Sequence, residues 1–157
     1  MFLEKFVNEK LILDLEDILQ NEKSVNNGVL EETATKNGFQ TNSVHEKVEY
    51  QNILKNILLV GSPELPECYY RWFHLIDYKK GGWQEEHDHV KTEDYSFIVY
   101  LTTCSNGGKT CFRISDSSVF QSTPVRGKIL FFPAHLRHWG EEVIDEKRVA
   151  VGALKFK

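Results

Sequence analysis

From Pro66 onward the chain becomes a succession of short segments rich in β-branched and aromatic residues, each closed by a turn signal. The breaks are Gly81-Gly82, Ser105-Asn106-Gly107-Gly108, Asp116-Ser117 and Val125-Arg126-Gly127. Such punctuation predicts strands, with glycine and Asn-Gly supplying the turns. The segments fall at residues 68–79, 84–89, 95–103, 109–115, 119–122, 128–133, 138–143 and 148–157. About eight strands in roughly 90 residues predict two facing sheets, a jelly roll.

The N-terminal part reads differently. Residues 2–19 carry Phe2, Phe6, Leu11, Leu15, Ile18 and Leu19 at roughly helical spacing, with acids and lysines between. Residues 21–42 are rich in Asn, Ser, Thr, Gly and Lys and predict a long surface loop with at most a short strand. Residues 44–60 return to helical spacing through Val44, Val48, Leu54, Ile57 and Leu58, and Gly61-Ser62-Pro63 ends them. The expected class is α+β, mainly β, in one domain over residues 1–157. Helices and a loop (1–66) would pack on one sheet of a jelly-roll core (67–157).

Composition narrows the function. Nineteen basic against 23 acidic residues give a net charge of −4. An acidic chain lacks the general positive field that a nucleic acid or an anionic membrane would meet. No run approaches the roughly 20 apolar residues that span a bilayer. The opening Met1-Phe2-Leu3-Glu4-Lys5 is too charged for a secretory signal. Cys68, Cys104 and Cys111 are three, without CxxC spacing, which predicts reduced thiols and a cytoplasmic protein. A Cys104–Cys111 bridge across a hairpin stays open.

Four of the six histidines fall in two places: Glu85-Glu86-His87-Asp88-His89 and Pro133-Ala134-His135-Leu136-Arg137-His138. Residues two apart on a strand point the same way. His87 and His89 can therefore share an interior face, with Asp88 outward. A third ligand from a distant strand, His138 or else His135, would complete one face of a metal and leave the opposite positions open. His45 and His74 read as structural or exposed. Trp83, Trp139 and Tyr95 read as packing residues, with a pocket wall as the alternative.

With these motifs in place, the chain resembles the Fe(II)/2-oxoglutarate-dependent dioxygenases, on their prolyl-hydroxylase side and close to the small phage and bacterial members. The family's Tyr-x-x-Gly-Gly, four residues, then His-x-Asp is met by Tyr78, Gly81, Gly82 and His87, with His89 at the aspartate position. Val99-Tyr100-Leu101, Gly107-Gly108-Lys109-Thr110-Cys111-Phe112, Pro124-Val125-Arg126-Gly127 and His138 follow in the family's order. Arg148 stands where the family carries a basic residue, about ten positions past the distal histidine. The resemblance implies Fe(II) held by His87, His89 and His138, with 2-oxoglutarate as cosubstrate. Arg148 would take its far carboxylate, with Tyr78 and Thr110 beside it. The implied reaction hydroxylates a peptidyl residue or small molecule and releases succinate and CO2. His89 departs from the pattern, and Asp88 would supply the missing carboxylate only at a bulge.

Two other readings stand beside this one. A cupin would use a three-His, one-Glu site of His87, His89, Glu93 and His138, following Gly81 at the right distance. A non-catalytic jelly-roll binding module would have lost the chemistry along with the carboxylate.

Overall fold

Four neighbouring strands that are apolar on both faces organise the molecule. The computed structural model describes residues 2–30, 33–89 and 92–157. In chain order these form β1 (Leu3–Phe6), α1 (Glu9–Ser24), β2 (Gly28–Leu30), β3 (Thr35–Thr41), a 3-10 turn (Val48–Tyr50) and α2 (Gln51–Gly61). They continue with β4 (Cys68–His87), β5 (Tyr95–Tyr100), β6 (Thr110–Ser115), β7 (Ser118–Ser122), β8 (Lys128–Pro133), β9 (His138–Gly140) and β10 (Lys147–Phe156). All ladders are antiparallel, along the path β1-β8-β5-β10-β4-β9-β6-β7, with β3 added on β4 and β2 on β3. The sheet curls into the double-stranded β-helix, or jelly roll, that the strand spacing predicts.

Because side chains alternate along a strand, β4, β5, β8 and β10 each feed two cores. Phe73, Leu75, Phe97, Val99, Ile129, Phe131, Ala150 and Leu154 point to the helices, where they meet Leu11, Ile12, Leu15, Ile18 and Leu19 of α1 and Leu54 and Ile57 of α2. Their neighbours Ile76, Tyr78, Ile98, Tyr100, Leu130, Phe132 and Val149 point into the barrel, where Phe112 joins them from β6.

The N-terminal third departs from expectation in four ways. Residues 3–6 are a strand, paired with β8. The helix starts later, at Glu9, because the Asn8 side chain caps it by accepting the Leu11 N–H at 2.9 Å. Residues 28–41 are mostly strand, and β3 pairs with β4. The Asn-Gly pairs there mark other events: Asn26, before Asn27-Gly28, takes a left-handed φ of 55° just past α1, and Asn37 takes one of 50° at the β3 irregularity. The second helix is shorter than its apolar pattern suggests.

β4 is one 20-residue strand where two are expected. Gly81-Gly82 bends it without ending it. Gly81 has a φ of 83°, and a Cβ on Gly82 would stand 2.7 Å from the Asn37 carbonyl oxygen. Before the bend β4 pairs with β10; after it, with β9. That change of partner carries the end of β4 to the barrel mouth.

Candidate metal centre

His87 and His138 face each other as direct partners of the β4/β9 ladder. His89 lies just past the end of β4, its N–H donated to the Ala134 carbonyl at 2.9 Å. The three rings stand 4.3 to 4.9 Å apart by centroid. One potential ligand atom from each lies within 4.8 Å of the others. His135 is exposed on the turn and takes no part.

The outer nitrogens are already engaged. His87 Nδ1 lies 2.7 Å from the Glu85 carbonyl and His138 Nδ1 3.0 Å from that of Leu136. A carbonyl only accepts, so both rings carry their proton on Nδ1 and leave the Nε2 lone pair free. His89 Nδ1 pairs with the buried Ser96 hydroxyl at 2.9 Å. Burial, then the neighbouring imidazoles, push His89 down to about 2 and His138 down to about 3; burial also lowers His87. At neutral pH the site is three neutral imidazoles, the form that ligates. This donor set fits iron, and equally nickel, copper or zinc.

The carboxylates nearby are turned away. Asp88 reaches Arg137 at 3.5 Å, and Glu86 binds Arg113 and Arg137 at 2.9 Å each, which pulls it down to about 2. Glu93 accepts the Trp72 indole N–H at 3.2 Å and the Thr92 N–H, and stands outside the three-histidine group among the described residues. The four-ligand cupin arrangement is therefore not formed, and Asp88 does not substitute for the missing aspartate.

Beside the histidines lies a cavity of about 250 Å³, walled by Ile76, Ile98, Phe132 and Val151 and edged by Trp72, His74, Gln84 and Thr110. Thr110 accepts the Tyr100 hydroxyl at 2.7 Å. Tyr78 is buried in the barrel, and that burial raises its pKa well above the ordinary tyrosine value.

Arg148 lies elsewhere. Strict alternation puts it with Ala150, and that face meets the helices: its guanidinium reaches Glu146 at 3.1 Å and Glu16 of α1 at 3.7 Å. The inward face belongs to Val149, Val151 and Lys147. Lys147 is 2% exposed, with Nζ 5.2 Å above the Tyr78 ring and no carboxylate within ion-pair distance among the described residues. Burial lowers it to about 8, so it stays largely charged at neutral pH. A Cβ at Gly140 would fall 3.7 Å from Lys147 Nζ and 3.2 Å from the Cβ of the cavity-lining Gln84, so position 140 lies between the two side chains.

Lys147, Trp72, His74, Gln84 and Ser96 lie at or beside the site without having been expected there. Only Lys147 carried a signal, the same alternation that located Arg148 with the faces assigned the other way round. Trp83 is exposed, Trp139 lies under Arg113 and Tyr95 packs on Phe156; none of the three lines the cavity.

No protein-family model and no curated sequence matches the chain. Solved structures do. A Pseudomonas putida prolyl-4-hydroxylase superposes with a TM-score of 0.75 at 14% identity, covering 99% of this chain and 92% of its own. A Trichoplax adhaerens prolyl hydroxylase, in complex with a hypoxia-inducible-factor peptide fragment, gives 0.74 at 10% identity over 97% and 82%. HygX from Streptomyces hygroscopicus, with nickel, 2-oxoglutarate and hygromycin B bound, gives 0.72 at 8% over 99% and 83%. The chain thus has the fold of the 2-oxoglutarate- and Fe(II)-dependent oxygenases, prolyl hydroxylases among them.

Proposed function

We propose that the protein is a non-haem Fe(II)- and 2-oxoglutarate-dependent oxygenase that hydroxylates a C–H bond with release of succinate and CO2. The observation that carries this reading is the convergence of His87, His89 and His138 on one point, with the buried, carboxylate-free Lys147 on the same interior face. Iron, when bound, supplies the oxygen activation and C–H cleavage that no side chain performs.

The chain's own residues do the rest. His87, His89 and His138 hold the metal through Nε2. Lys147 receives the far carboxylate of 2-oxoglutarate, the role that the resemblance would give to Arg148. Thr110 accepts from Tyr100, so its own hydroxyl proton is free to donate to that carboxylate, and Tyr78, kept protonated by burial, offers a second hydroxyl. Ile76, Ile98, Phe132 and Val151 exclude water. The substrate, a peptidyl residue or small molecule like those bound by the structural neighbours, enters past Trp72 and His74. Three free thiols suit a reducing cytoplasm.

Anaerobic titration with Fe(II) and then 2-oxoglutarate tests the reading through the weak visible charge-transfer band of the chelate. Lys147→Met should raise the 2-oxoglutarate Kd by about 10- to 100-fold with the metal retained, the worth of one charge-assisted pair. Arg148→Met should leave it within about twofold, as expected of a partly exposed ion pair outside the site. The reverse pattern overturns the assignment. A protein that takes metal but ignores 2-oxoglutarate is a binding module instead.

A further inference from the structure

The charges around the cavity do not balance. None of its described lining residues is Asp or Glu. Asp88 is paired with Arg137, and Glu86 with Arg113 and Arg137; Glu93 keeps its charge but is half-buried, accepts the neutral Trp72 indole N–H and stands outside the three-histidine group. Glu141 acts on Lys147 only at a distance and accepts the Lys109 N–H at 3.3 Å. All three candidate metal ligands are imidazoles. A divalent metal and Lys147 bring three positive charges, and 2-oxoglutarate returns two. With an aspartate at position 89 the loaded interior would be neutral; with His89 one positive charge is left among apolar walls. An unpaired charge in such surroundings is costly, and a counter-charge is worth more there than in water.

We infer that the loaded site takes a small monovalent anion at the metal-bearing end of the cavity, in place of the charge a carboxylate ligand would carry. The inference rests on the proposed function. The anion is either a free inorganic ion or an anionic group of the substrate itself; both present one compact negative charge to the same place.

The test uses the full-length protein loaded with Co(II) and 2-oxoglutarate, at ionic strength held constant with a bulky sulfonate too large for the cavity. Azide, chloride and acetate are titrated in turn, read by the visible cobalt bands and by calorimetry. A saturable response is expected in the native protein. H89N and H89D differ in charge at nearly equal size. H89N should keep the response, and H89D should weaken it on the order of tenfold or more, since its carboxylate supplies the missing charge. Should H89N lose the metal, the native protein and H89D decide the matter. Acetate binding more tightly than azide or chloride marks a substrate-borne carboxylate; the opposite order marks a free inorganic ion. Native protein that takes 2-oxoglutarate but none of the three anions overturns the inference alone, as does an H89D response equal to the native one. Native protein that ignores 2-oxoglutarate overturns the proposed function and this inference with it.

Discussion

The two faces of the same strands follow different rules. Toward the helices, β4, β5, β8 and β10 present Phe73, Leu75, Phe97, Val99, Phe131 and Ala150, closed over by α1 and α2, where the buried Glu22 is satisfied by Tyr50 and Lys47. Toward the barrel, the same strands alternate apolar residues with His74, Lys147 and, at the end of β4, His87. One face is built for stability. The other holds buried polar groups whose natural partners are ligands, at a cost in stability that the first face offsets. Arg148 and Lys147, adjacent in sequence, fall on opposite sides of this division. The first is partly buried and paired with two glutamates; the second is buried, with no carboxylate in ion-pair distance among the described residues.

The largest effect is expected on the helix face. Phe131→Ala removes a fully buried ring and should cost about 3–5 kcal/mol in urea unfolding, while the folded fraction keeps its Co(II) affinity. A loss under about 1 kcal/mol would mean that this face does not carry the stability. On the barrel face the sign should invert. Lys147→Met exchanges an unpaired buried charge for a side chain of similar length, so the ligand-free protein should gain on the order of 1–3 kcal/mol by the same measurement. An unchanged or lower midpoint would show that the lysine is paired in solution.

Acid titration probes the histidines. A histidine whose folded-state pKa is depressed is neutral in the folded protein while the unfolded chain already takes up protons. Its stabilisation is therefore whole above about pH 6.5 and is lost as pH falls toward the folded values of about 3 for His138 and about 2 for His89. Metal-free protein should lose on the order of 1 kcal/mol or more between pH 6.5 and 4.5, above the range where most carboxylates titrate. His138→Asn should flatten that slope, and a native slope of zero would mean that the rings are not buried together. The smallest effect belongs to neither face. Lys10→Ala breaks the exposed 3.1 Å pair with Asp14 on α1 and should change stability by about 0.5 kcal/mol or less.

Much of this was legible in the residues. The turn signals after Pro66 marked most of the strands, and the boundaries of β8 coincide with the expected segment 128–133. His87, His89 and His138 were placed by period-2 alternation and by order along the chain. The strand at residues 35–41 was not legible, because Thr35-Lys36-Asn37-Gly38-Phe39-Gln40-Thr41 has little strand character of its own; pairing with β4 holds it. β4 looked like two strands because a glycine pair reads as a turn whether it ends a strand or bends one.

The residues alone carried the alternation along each strand and the His87/His89 pair, with His138 or His135 as the third candidate. Which side of each strand faces inward was settled by its partners in space. β10 runs Arg148-Val149-Ala150-Val151, and both parities carry apolar residues because both faces are buried. Hydrophobicity then cannot choose between them. The choice falls to the partners across space: Glu16 on α1 draws Arg148 outward, and Lys147 is left within the barrel beneath Gly140 and against Tyr78.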